Sequence, residues 1–103
     1  MSRYRLEADA KSDIKEIFDY IAKENLPAAR RLRDLFKQRF KFLAVNPLMG
    51  ELREDLSSGV RILSVGSYVI VYHPQDKGIV VTHVVHGARD LEALLRRDHG
   101  ERK

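Results

Sequence analysis

Cysteine is absent from the chain, and with it any disulfide staple, zinc ribbon or thiol nucleophile. Long apolar runs are absent too, since none approaches the roughly 20 residues that a membrane helix needs. The N-terminal Met1-Ser2-Arg3-Tyr4-Arg5 lacks the apolar segment of a signal peptide. Charge is scarce over residues 60–88, where only Arg61, Asp76 and Lys77 carry it. There is no internal repeat, no low-complexity tract, no glycine-rich phosphate loop, no zinc motif and no Ser-His-Asp set. No cofactor and no metal are therefore expected. A cytoplasmic globular domain is the expectation that these absences leave. The 103 residues fit a single domain, 1–103, ending in a charged tail over 97–103. Its stability must come from apolar burial, for which 44% hydrophobic residues supply the material.

The excess of base is modest, 19 Lys and Arg against 15 Asp and Glu, and its placement says more than its sum. Residues 7–24 hold six acids and three bases. Residues 27–46 hold six bases (Arg30, Arg31, Arg33, Lys37, Arg39, Lys41) and one acid, Asp34. Such a run is ordinarily a solvated helix face; alternatively it attracts DNA or an acidic protein segment.

Residues 3–6 alternate in the manner of a strand. Ala10, Ile14, Ile17, Phe18 and Ile21 then recur at helical spacing, with Asp9 or Ser12 as the expected cap. Asn25 suits the end of that helix, and Pro27 the first turn of a second one with the stripe Ala28, Leu32, Leu35, Phe36, Phe40 and Leu43. The short connection predicts an antiparallel hairpin, which Asn46-Pro47 ends. Residues 47–59 read as a loop. Three β-branched runs follow, Val60–Val65, Tyr68–His73 and Ile79–Val85. A Gly66-Ser67 hairpin turn joins the first two, and a longer turn over Pro74–Gly78 joins the last two. Asp90 is the expected cap of a short last helix carrying Leu91, Leu94 and Leu95. The fold class is thus α+β: an N-terminal strand, an antiparallel helix hairpin, a three-strand antiparallel meander and a short C-terminal helix. Both helices are expected on one face of an antiparallel sheet. The other face is either covered or forms an apolar groove for a partner.

This order resembles the ParE-type toxins of the RelE/ParE toxin–antitoxin superfamily. The resemblance is carried by Ala8 to Ile21, by Asn25-Leu26-Pro27-Ala28-Ala29 and by the loop Asn46 to Glu54. It continues through Gly59-Val60-Arg61, Gly66 to Tyr72 and His83-Val84-Val85-His86-Gly87-Ala88-Arg89-Asp90. The resemblance implies a cytoplasmic bacterial toxin of a type II system, neutralised by a ParD-like antitoxin encoded beside it. ParE-like members typically poison DNA gyrase by trapping it on cleaved DNA. RelE-like members cleave messenger RNA on the ribosome, so fold alone does not choose between an enzyme poison and an enzyme.

RNA cleavage needs a base near the 2′-hydroxyl, cations around the phosphorane and an acid for the leaving oxygen. Arg61, His83, His86 and Arg89, with Arg53 approaching from the loop, are a thin set for that work. The late tyrosine and the Lys/Arg-rich sheet of RelE-like nucleases are missing, since no Tyr follows Tyr72. A gyrase inhibitor that acts by binding is therefore the expected function, with a ribosome-dependent messenger RNA endonuclease using Arg61, His86 and Arg89 as the alternative. The candidate partner-binding residues are Arg61, Tyr68, Tyr72, His86 and Arg89. Arg61 either meets a partner or pairs with Glu54, Asp55 or Asp90. Tyr68 and Tyr72 share a face with Ile70, as core or groove residues. His83 and His86 are expected on opposite faces of their strand, which argues against a shared metal. Arg61→Glu is expected to weaken toxicity or neutralisation with the fold intact. Neither a membrane nor a specific nucleic-acid sequence is expected as a direct partner of the chain alone.

Overall fold

The computed structural model describes residues 2–87 and 90–94. Strand β1 (Arg3–Leu6) leads into α1 (Ala8–Ala22) and α2 (Leu26–Val45). Then come β2 (Glu51–Leu52), β3 (Arg61–Val65), β4 (Tyr68–Gln75) and β5 (Gly78–His86). Residues 90–94 are helical. The strands form one five-stranded sheet in the order β1-β5-β4-β3-β2. No helix among the described residues is long and apolar enough to cross a membrane.

The predicted α+β architecture is present, with several local differences. The sheet is mixed: β1 runs parallel to β5, with Arg3 opposite Gly78 and Leu6 opposite Val81, while the other pairs are antiparallel. The helix hairpin supplies the long crossover that a parallel neighbour requires. Helix α1 begins earlier than its polar residues suggest. Glu7 occupies the cap position without a side-chain cap bond, because its own N–H bonds Val81 O and turns the chain directly out of the sheet. Asp9 and Ser12 are thereby inside the helix. Asn25 caps the next helix instead, its side chain accepting from Ala28 N at 3.0 Å.

Inside the region read as loop, Glu51 and Leu52 pair with Ile62 and Arg61 as a short edge strand. Strand β4 runs on through Pro74 and Gln75, so the expected long turn shrinks to Asp76-Lys77. Pro74 is tolerated there because β3 pairs β4 only as far as Tyr72, leaving the proline without a neighbour on that side. Lys77 takes a left-handed φ of 66° to close the turn. Asp90 is itself helical rather than the residue before the helix. Leu95, Arg89 and the tail over 97–103 lie outside the described residues.

The central position of β4 explains its nearly unbroken apolar run, since both of its faces are buried. On the helix side, Tyr68, Ile70 and Tyr72 meet Phe36, Phe40, Leu43, Ile79 and Val81. A file of rings links three elements there: Tyr4 lies 5.4 Å from Phe40, and Phe36 lies 5.8 Å from Tyr68 in an edge-to-face contact. Full burial of each of the two phenylalanines stabilises the fold by about 1.5–3 kcal/mol. On the opposite face, Val60, Ile62, Val69 and Val71 form a second cluster covered by Leu56 and Leu91. The apolar face left open by the sequence reading is therefore filled by the chain's own loop and last helix.

Candidate functional site

Tyr72 is fully buried, and its hydroxyl makes a two-way bond beneath the loop after α2. It accepts from Gly50 N at 2.8 Å and donates to Pro47 O at 2.8 Å. Burial pushes this phenol above its ordinary pKa, against the opposing pull of the Gly50 bond and the Arg61 charge. Gly50 is required by space. A Cβ there would stand 2.5 Å from the Tyr72 hydroxyl and 2.7 Å from Ile62 O. Arg61 completes the clamp, with Nη1 donating to Gly50 O at 2.7 Å and to Leu48 O at 3.1 Å. Its guanidinium thus holds loop carbonyls, and it pairs with neither Glu54 nor Asp55. Asp55 takes the bidentate bond of Arg53 instead, at 2.7 and 2.8 Å. Arg61→Glu would set a carboxylate against two carbonyl oxygens, so the loop would not be left undisturbed.

A second feature lies where α1 meets the end of β5. Asp13 Oδ2 accepts from Val84 N at 3.0 Å and lies 3.3 Å from His83 Nδ1. Asp9 flanks the same ring at 3.9 Å. The β4–β5 register shifts between Val71 and Tyr72, inserting Thr82 and breaking the alternation of side chains. His83 and His86 both follow that insertion and keep opposite faces, His83 opposite Val71 of the second cluster and His86 opposite Tyr68 on the helix side. One cleft borders both because it wraps the edge of β5 that β1 leaves unpaired beyond Val81. The cleft, about 370 Å³, is walled by Asp13, Glu16 and Asp90 together with Val84, Val85 and Leu94. His86 is exposed and meets Tyr68 edge-on, with ring centroids 5.0 Å apart. Tyr68 is half-buried, and burial raises its pKa too.

The third feature is the basic face of α2. Arg30, Arg31, Lys37, Arg39 and Lys41 are exposed. Arg33 is different: its guanidinium lies 5.2 Å from the centre of the Phe18 ring and packs between the two helices. Among the predicted site residues, then, Arg61 and Tyr72 converge on one loop, and Tyr68 and His86 form a ring pair elsewhere.

Sequence reasoning missed Asp13 and the main-chain groups of Pro47, Leu48 and Gly50. Asp13 resembles any solvated helix acid in one dimension. A main-chain acceptor leaves no mark on residue type, although the clustered Pro47 and Gly50 signalled a shaped loop.

Comparison with known families decides the identity. The family model described as ParE toxin of type II toxin-antitoxin system, parDE, matches residues 4–91. The chain belongs to the ParE toxin family. That match spans every element described above, from β1 to the start of the last helix. No curated protein sequence matches this ParE-family chain. Among solved structures, a chain from the chromosomal ParDE TA system of P. aeruginosa shares the fold. Its TM-score is 0.70 at 19% identity, over 84% of this chain and 97% of that one.

Proposed function

We propose that this ParE toxin of a type II toxin–antitoxin system acts by binding DNA gyrase and holding it on cleaved DNA, with a ParD-like antitoxin as its neutralising partner. The observation that carries this reading is the electrostatics of the cleft beside His86. Asp13, Glu16 and Asp90 line it, and His83 is engaged by Asp13. From the described residues of that cleft, a scissile phosphate would meet carboxylates in place of the cations that stabilise a phosphorane. Arg61, the strand cation best placed by sequence for that role, is committed to the carbonyls of Leu48 and Gly50. A protein that inhibits by complementarity needs no such constellation, only a shaped and rigid surface. The clamped loop after α2 and the basic α2 face supply surfaces of that kind. The ParDE system named for the structural relative supports a ParD-like protein as the partner.

The test is a titration of purified toxin into a gyrase supercoiling and cleavage assay. Loss of supercoiling with accumulation of linear DNA, reversed by the antitoxin, is the expected result. Unchanged gyrase activity at saturating toxin, with discrete cuts in translated message by primer extension, would establish the nuclease reading instead.

A further inference from the structure

Large apolar side chains are not exposed at random on this molecule. Among the described residues seven are exposed, and five of them lie between Phe42 and Leu52. They are Phe42, Val45, Leu48, Met49 and Leu52, with Val45 at 67% and Leu48 at 68% relative exposure. Single exposed apolar residues are ordinary on a protein surface, whereas a concentration of them marks an interaction site.

The backbone that carries these residues is fixed from beneath. Phe42 and Val45 sit on the last turns of α2, three residues apart and so on one side of the helix. Asn46 then ties the turn, its Nδ2 donating to Phe42 O at 3.0 Å and its carbonyl accepting from Met49 N at 3.1 Å. Tyr72 and Arg61 hold Pro47, Leu48 and Gly50 by their main-chain groups. None of these bonds uses the side chains of Leu48 or Met49, which project outward. A loop free to move would fold its apolar tips inward, but this one is held so that they stay out. Rigidity of this kind lowers the ordering cost of association. Leu52 extends the patch onto β2, the edge strand of the sheet.

Charge selects the occupant. Arg39 lies three residues before Phe42, and Lys41 lies four before Val45, so both cations border the apolar stripe. Farther up the helix are Lys37, Arg31 and Arg30. Among the described residues none of these five cations has an acidic partner, since Asp34 pairs with Arg33. A second copy of this chain would bring its own cations and a formal net charge of +4 against the same rim. An acidic amphipathic segment satisfies both parts of the surface. Its apolar residues would cover Phe42, Val45, Leu48, Met49 and Leu52, while its carboxylates would lie along Arg39 and Lys41.

We infer that the C-terminal end of α2, the loop 46–50 and β2 form the docking surface for an acidic amphipathic segment of the antitoxin. This inference rests on the reading of the chain as an antitoxin-neutralised toxin. It places the partner away from the sheet face covered by Leu56 and Leu91.

The experiment measures binding of the full-length antitoxin, encoded beside the toxin, to four forms of the full chain. These are wild type, Leu48→Glu with Met49→Glu, Arg39→Glu with Lys41→Glu, and the control Lys11→Glu on the other helix. The altered side chains are exposed, so melting temperatures stay within a few degrees of wild type. The double apolar variant is expected to bind at least about tenfold more weakly, mainly through faster dissociation. The Arg39/Lys41 variant is expected to associate more slowly and with a weaker dependence on salt, while Lys11→Glu leaves affinity unchanged. Wild-type binding with undiminished affinity in both double variants would overturn this surface. So would sedimentation showing a toxin dimer that Leu48→Glu/Met49→Glu dissolves while antitoxin affinity stays the same. No binding by wild type at all would overturn the antitoxin reading itself.

Discussion

Replacing Tyr72 by phenylalanine removes one oxygen from the interior and tests the clamp directly. The ring keeps its place among Ile70, Val81 and Phe40, so no large cavity forms. Two bonds are lost, each 2.8 Å long in the wild type. The Gly50 N–H is buried and loses its acceptor, which costs about 1–3 kcal/mol for an unsatisfied donor. The Pro47 carbonyl is only partly buried and can turn to water, so its loss amounts to the net worth of an ordinary bond, about 0.5–1.5 kcal/mol. The sum is about 1.5–4.5 kcal/mol, or a fall in melting temperature of roughly 6–35 °C for a domain of this size. Urea unfolding followed by circular dichroism should show a lower midpoint with an unchanged slope, because the surface exposed on unfolding is the same. Tyr68→Phe is the control. Its hydroxyl has no hydrogen-bond partner among the described residues, and its loss should cost under about 0.5 kcal/mol. Hydrogen exchange at the Gly50 amide should rise in Tyr72→Phe by more than global destabilisation explains. Equal midpoints for wild type and Tyr72→Phe would refute the claim that this hydroxyl holds the loop.

Other outcomes follow from the same contacts. Above pH 10 the stability gap between wild type and Tyr72→Phe should narrow. The folded Tyr72 pKa is raised by burial from 10.0, so its contribution is intact below that value and is lost as pH rises through the folded pKa; a gap that widens in alkaline urea titrations would contradict this. Gly50→Ala should destabilise by about 1–3 kcal/mol in the same unfolding assay, because the Ile62 carbonyl is backbone and cannot swing aside. Gly78→Ala should detach β1, since a Cβ there would collide with the Arg3 backbone; lost exchange protection over residues 3–6 is the readout. Asp13→Ala should cost about 1–3 kcal/mol by stranding the Val84 N–H, while Asp13→Asn, which keeps an acceptor oxygen, should recover most of it.

The site was only partly legible in one dimension. Tyr68 and Tyr72 share a face and differ by four residues, yet one is half-exposed beside His86 and the other is sealed under the loop. Their fates separate because the chain after α2 folds back over Tyr72 alone. In sequence Arg61 either meets a partner or pairs with a nearby acid of its own chain. In space the nearest acceptors are carbonyls, and the Asp55 carboxylate is already taken by Arg53. Alternation places His83 and His86 on opposite faces, and the register agrees, because the residue inserted in β5 precedes both; that one cleft borders both rings by wrapping the strand edge is visible only in space.

What the sequence determined by itself is what local physics controls. Helical spacing of apolar residues set α1 and α2, Asn25 and Pro27 set the start of the second helix, and Gly66-Ser67 set the first hairpin turn. The ordered set of these signals also carried the family resemblance. Tertiary structure decided everything that depends on which distant groups meet: the parallel seat of β1, the edge strand β2, the covered second face and the clamp on residues 47–50. It also left Phe42 to Leu52 as the main exposed apolar surface among the described residues. The physical reason is that burial and hydrogen bonding are settled between atoms close in space, and a bond from Tyr72 to the main chain of Pro47 spans 25 residues of sequence without leaving a pattern in it.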